Sequence, residues 1–227
     1  MKSRFGSCFC HDGDAPGYDQ EVRNESHPVR RGYAEAQRWI GSQVPENAVV
    51  LDLGCGTGNT ILALPEFCHV TAVDISPNML QIAAQKLAGR NVRFVLSDIM
   101  QFFDRAPEPF EVIVSGYAIH HLPDDEKSQL FDLFSSRLQS GGRVAVVDLM
   151  FKNKLDRAAV INRYSNSYPD LVKDAEDEFF WDLETAEPEL IRKGFTVSLK
   201  KFSDLSWGLL ATRGQKKSAP DQKDQGK

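Results

Sequence analysis

The chain has 227 residues, 41% hydrophobic and 26% charged, which suits one ordinary globular core and excludes a fibrous or wholly disordered chain. A net charge of −5 with no basic face argues against nucleic acid as partner. No apolar run reaches the roughly 20 residues of a membrane span, no signal-like core opens the chain, and Cys8, Cys10, Cys55 and Cys68 show no paired framework, so a cytoplasmic protein is expected.

Residues 1–17, rich in Gly, Asp and Cys, lack periodicity and are expected to form a flexible arm. Pro28 to Ser42 carries Val29, Tyr33, Ala36, Trp39 and Ile40 at helical spacing. Ala48 to Leu53 is a short apolar run that ends in glycines, the pattern of a buried parallel strand. A helix over Thr60 to Leu64 and a second strand over His69 to Asp74 follow. Ser76 and Pro77 then supply an N-cap and a first helical residue, with Met79, Leu80, Ile82, Ala83 and Leu87 as the apolar face. Asn91 to Leu96 and Phe110 to Gly116 predict strands three and four.

Asp124, Asp125 and Glu126 place negative charge at the start of a helix whose apolar face is Leu130, Phe131, Leu133, Phe134 and Leu138. Gly141 and Gly142 are expected to stop it before strand five, Arg143 to Leu149. Strand and helix alternate five times, which implies a parallel sheet covered on both faces. Residues 151–193 then read as a helical insertion, acidic between Tyr168 and Glu187, with Tyr164, Tyr168, Phe179, Phe180 and Trp181 clustered in it. Their spacing suits core and pocket wall equally. Phe195 to Phe202 and Leu205 to Thr212 predict an antiparallel closing pair. The whole is an α/β fold: a doubly wound, seven-stranded, mostly parallel sheet with an antiparallel last strand. Residues 18–213 form one domain, and 214–227 read as a disordered tail.

The most specific signal is Val49 to Asn59, in which a buried strand runs straight into Gly54-Cys55-Gly56-Thr57-Gly58. Glycines there let the backbone turn sharply and approach a ligand. A dinucleotide site wants G-x-G-x-x-G, with the pyrophosphate on the helix N-terminus. Here the sixth position is Asn59, and Asp52 stands two residues before the first glycine. An acid is unwelcome beside a pyrophosphate and welcome beside an ammonium or sulfonium. Asp74, at the end of strand two and 20 residues after Gly54, suits an adenosine ribose. Asp98 suits an adenine amino group, with Ile99 against the ring, and also reads as a helix N-cap. His120 and His121, past strand four, lie where ligands of open α/β sheets bind, and either could act as a base. No metal is expected: Cys8-Phe9-Cys10-His11 has no second cluster to complete a tetrahedral site, and adjacent histidines cannot share a helix face.

In order along the chain, these residues resemble class I S-adenosylmethionine-dependent methyltransferases. Gly17 to Val22, Ser115 to Leu122 and Phe202 to Trp207 are similar to the YrrT-like branch of small bacterial methyltransferases. The resemblance spans residues 18–213. It implies a Rossmann-like methyltransferase fold and S-adenosylmethionine as cofactor, with S-adenosylhomocysteine as product. It also implies a cofactor site of Tyr18, Asp52, Gly54, Cys55, Gly56, Gly58, Asp74, Ile75, Met79, Asp98, Ile99 and Ser115, with Tyr18 in an arm that closes over the ligand. The expected acceptor is a small molecule. Rival readings are a non-catalytic S-adenosylmethionine-binding protein and an NAD(P)-binding oxidoreductase. The Cys-x-Cys-His piece and the lysine-rich tail have no counterpart in the branch.

Overall fold

The computed structural model describes residues 2–6, 10, 12–105 and 109–214. Cys8, His11 and the tail beyond Gly214 therefore lie outside the described residues. Two short elements, α1 (Tyr18–Val22) and α2 (Tyr33–Ser42), lead into a strand–helix alternation of β1 (Val49–Leu53), α3 (Asn59–Ala63), β2 (His69–Asp74), α4 (Pro77–Lys86), β3 (Val92–Leu96), α5 (Ile99–Phe102) and β4 (Phe110–Gly116). A 3-10 turn over Ile119–His121, then α6 (Asp124–Arg137) and β5 (Leu138–Phe151), complete that half. The insertion holds α7 (Lys154–Tyr164), α8 (Pro169–Asp177), a two-residue β6 (Trp181–Asp182) and α9 (Leu183–Arg192), before β7 (Phe195–Lys201) and β8 (Ser206–Arg213).

The main sheet runs β3-β2-β1-β4-β5-β8-β7. β1 to β5 pair in parallel, and β8 is antiparallel to both β5 and β7. This is the doubly wound, seven-stranded sheet with an antiparallel closing strand that the alternation implied. β6 adds a short parallel rung on β5.

Alternation along each strand divides the core in two. Val50, Ala72, Val112, Val114, Ala145 and Val147 face one layer, which α2, α3, α4 and the first insertion helices cover. Leu51, Leu53, Val73, Ile113, Val144 and Val146 face the other, beneath α5, α6 and α9. Both faces are dry, which is why these strands read as continuous apolar runs.

Helix ends follow local chemistry. Ser76 Oγ accepts from Met79 N, with Pro77 as first helical residue, and Asp98 accepts from Met100 N and Gln101 N. One boundary differs from expectation. α6 ends at Arg137, and Leu138 pairs with Phe110 as the start of a long β5. A bulge between Phe110 and Val112 absorbs the glycines, so Gly141-Gly142 shapes a strand rather than ending a helix. The clustered aromatics belong to the core: Tyr164, Tyr168 and Phe180 pack into the first layer and Trp181 into the second.

Candidate functional site

The strand order reverses between β1 and β4, so the connections leaving them diverge and open a crevice at their C-terminal ends. A cleft of about 840 Å³, measured out to its mouth, occupies that position.

The glycine turn forms its floor. Gly54 N and Cys55 N both donate to Val73 O, at 2.8 and 3.0 Å, which ties the turn to β2. Gly54 has φ +69, and a Cβ there would lie 2.3 Å from Ala118 Cβ, so any other residue is both strained and crowded. Gly56 has φ +51, but its missing Cβ points at nothing within 4 Å. The backbone is bare on the side facing the cleft.

Three carboxylates stand at the ends of the first three strands. Asp52 is 0% exposed, and neither carboxylate oxygen has a hydrogen-bond partner. Burial, with the neighbouring Asp74 charge adding to it, pushes its acid up to about 8. Asp74 accepts from Gly56 N at 2.7 Å on Oδ2 and from Ser76 N at 2.9 Å on Oδ1, and it lines the cleft. Asp98 Oδ1 takes Met100 N, Gln101 N and also Ser3 N at 3.1 Å, while Oδ2 lies 2.3 Å from where a Gly6 Cβ would be. The described N-terminal residues thus pass directly over Asp98. Ser3 Oγ donates to Glu126 at 2.7 Å, and the Phe5 ring lies 5.1 Å from that of Phe179.

Of the residues expected from sequence, Tyr18, Gly54, Cys55, Gly56, Asp74, Ile75, Met79, Asp98, Ile99 and His121 line the cleft together. Four do not. Asp52 lies beneath the turn. Gly58 packs behind it, where a Cβ would meet Leu87 Cδ1 at 2.7 Å. Ser115 turns inward and donates to Leu53 O at 2.8 Å, leaving Gly116 to face the cleft. His120 is 7% exposed and clasped from behind: its backbone N donates to Asp148 Oδ2 at 3.0 Å, and its Nδ1 meets Asp148 Oδ1 at 2.5 Å. Burial pulls its pKa down, but Asp148 and then Glu178 outweigh that and hold the imidazole above its ordinary value.

The cleft also uses residues that sequence patterns did not single out. Tyr33 and Tyr117 stack at 5.3 Å on its wall, and Tyr117 holds φ +56 while its hydroxyl meets Ser206 Oγ at 2.6 Å. A left-handed aromatic at a ligand wall is the kind of strain that clusters at functional sites. Asp19 on α1 accepts from Thr57 Oγ1 at 2.6 Å and Asn59 Nδ2 at 3.0 Å, and pairs with Lys86 Nζ at 2.5 Å. Burial works against its charge, but these partners win and lower its pKa. This knot anchors α1, and with it Tyr18, to the glycine turn.

A doubly wound sheet with a bare glycine turn after β1 and acids closing the first three strands is the architecture of class I methyltransferases. Residues 50–142 match the family model described as a methyltransferase domain. An uncharacterized methyltransferase of Geobacillus kaustophilus is 31% identical over 205 residues, covering 89% of this chain and 92% of that protein. The uncharacterized methyltransferase YrrT of Halobacillus halophilus is 27% identical, covering 90% of this chain and 93% of its own length. Among solved structures, the magnesium protoporphyrin IX methyltransferase of Synechocystis with bound S-adenosylhomocysteine shares the fold, with a TM-score of 0.64 at 17% identity over 92% of this chain and 99% of that one. The chain belongs to the methyltransferase family that these bacterial proteins represent.

Proposed function

We propose that this protein is an S-adenosylmethionine-dependent methyltransferase acting on a small molecule. One observation carries the cofactor assignment. A carboxylate buried without a partner is costly unless something supplies the missing charge. Asp52 is such a group, placed under a glycine turn that is bare toward the cleft. A positive ammonium and sulfonium in the cleft, across the glycine turn from it, would offset that charge through space, and a pyrophosphate would oppose it. This favours S-adenosylmethionine over NAD(P). The other residues fit the remaining parts of that molecule. Asp74 faces the ribose hydroxyls, Asp98 the adenine edge, and Ile75, Met79 and Ile99 the adenine faces.

When bound, S-adenosylmethionine supplies a methyl group on a positively charged sulfur and leaves as S-adenosylhomocysteine. The chain's own task is alignment, which alone accelerates a displacement greatly. Tyr18, carried on the Asp19 knot, closes the cleft and excludes water, and the Tyr33–Tyr117 pair walls the side. His121 is the polar side chain we place against the accepting atom. His120, the other sequence candidate, stands behind it as support.

A cleft walled by Tyr18, Tyr33 and Tyr117 supports a small acceptor over a polymer. The protoporphyrin enzyme that shares the fold acts on a small molecule. We take residues 18–213 as one catalytic domain, with the insertion as one wall of the acceptor side. Incubating the protein with S-adenosylmethionine and size-fractionated cell extract tests this. S-adenosylhomocysteine should accumulate with the low-molecular-mass fraction. Accumulation only with the protein or RNA fraction refutes the small-molecule reading, and none with any fraction favours a non-catalytic binder.

A further inference from the structure

The cluster of His120, His121 and Glu178 is larger than methyl transfer by alignment requires. Their ligating atoms all lie within 4.8 Å of one another. Neighbouring histidines do not share a helix face, yet within the 3-10 turn over Ile119–His121 the side chains rotate so that the two rings stand 4.0 Å apart between centroids. The insertion then delivers Glu178 onto both. His120 Nε2 is 3.5 Å from Glu178 Oε2, and His121 Nδ1 is 4.0 Å from Glu178 Oε1. A backbone bond from Phe179 N to His120 O, at 2.9 Å, holds that approach in place.

We propose that His120, His121 and Glu178 bind a divalent first-row metal ion at the acceptor end of the cleft. Three features favour an ion. Imidazole nitrogens and a carboxylate at about 2.0–2.1 Å from one tetrahedral centre lie roughly 3.3 Å apart, so the observed separations of 3.5 and 4.0 Å, one to each Glu178 oxygen, must close by roughly 0.2 and 0.7 Å through side-chain rotation. His120 presents Nε2 to the site because Asp148 Oδ1 accepts from its Nδ1. A carboxylate behind a ligating histidine is the recurrent outer partner of such sites, fixing tautomer and ring orientation. His121 and Leu122 line the cleft, so a fourth position opens toward the acceptor. Lys127, the buried cation of α6, is committed to Asp124 and the Phe179 carbonyl.

Two imidazoles and one carboxylate suit zinc, iron or manganese better than magnesium or calcium. An ion there would ligate the acceptor atom and ease loss of its proton to solvent. His121 would then act as ligand and not as a free base. The placement at the acceptor end rests on the methyltransferase reading above; metal binding itself does not.

The probe is Co²⁺, titrated into chelator-treated full-length protein without S-adenosylmethionine. A Cys8→Ser, Cys10→Ser, His11→Ala background removes the N-terminal cysteine–histidine group. We expect one Co²⁺ per chain with visible d–d absorption, displaced by Zn²⁺. Affinity should fall at least tenfold in Glu178→Ala and in His121→Ala. Should Glu178→Ala not fold, Glu178→Gln read by a shift of the d–d bands replaces it. No uptake at millimolar Co²⁺, or uptake indifferent to both substitutions, overturns the proposal and leaves a proton shared between His120 and its carboxylates. S-adenosylmethionine uptake, measured separately, shows whether the cofactor reading stands when the metal reading fails.

Discussion

On the proposed cofactor assignment, Asp52 makes uptake a proton-linked event. Its folded value of about 8 lies above the ordinary 3.8, so the folded chain holds a proton that the unfolded chain gives up. The sign follows: stability from this group is complete below about pH 4 and declines as pH rises toward 8. At about 1.4 kcal/mol per pH unit, the loss reaches about 4 kcal/mol by pH 7. An ammonium arriving over Asp52 reverses the balance and expels the proton. At pH 7 the empty protein is then mostly protonated at this group, so binding should release most of one proton per chain. Titration calorimetry in phosphate and in Tris at pH 7 reads this as a difference in apparent enthalpy. Affinity should also rise several-fold between pH 6 and pH 7. Asp52→Asn should stabilise the empty protein by a few kcal/mol and bind the cofactor far more weakly. Identical enthalpies in both buffers, together with a flat affinity over that pH range, would refute the reasoning.

Other substitutions separate the remaining parts of the site. Asp19→Ala unties α1 from Thr57, Asn59 and Lys86; losing these charge-assisted bonds should cost about 1.5–3 kcal/mol and loosen cofactor binding roughly tenfold, read as a dissociation constant. Gly54→Ala meets Ala118 at 2.3 Å in a left-handed backbone and should lower the melting temperature sharply, whereas Gly56→Ala meets nothing and should cost about 1 kcal/mol of backbone strain while weakening cofactor binding. His121→Ala should slow single-turnover methyl transfer about 100-fold with the cofactor dissociation constant unchanged; unchanged transfer removes His121 from the chemistry.

The central strands were legible because burial on both faces writes β1, β4 and β5 as apolar runs, and the glycine turn was legible because its backbone tolerates few alternatives. The boundary at Leu138 was not. Leucine continues a helical stripe as readily as it opens a strand, and the bulge opposite Phe110 leaves no local mark. Within the site, Asp74 and Asp98 could be placed from sequence because they close strands whose ends are fixed. Ser115 could not: its strand directs it inward to Leu53 O and leaves the cleft to Gly116. Tyr33 and Tyr117 line the cleft, while Asp19 and Glu178 stand behind its Thr57, Asn59 and His121; only the packing of the N-terminal segments and the insertion onto the sheet brings the four together.

Equilibrium dialysis of the folded chain against S-adenosylmethionine, with NADH in a parallel cell, is the most direct test of the cofactor assignment. One S-adenosylmethionine retained per chain and no NADH is the predicted result. Retention of NADH, or of neither compound, would contradict it.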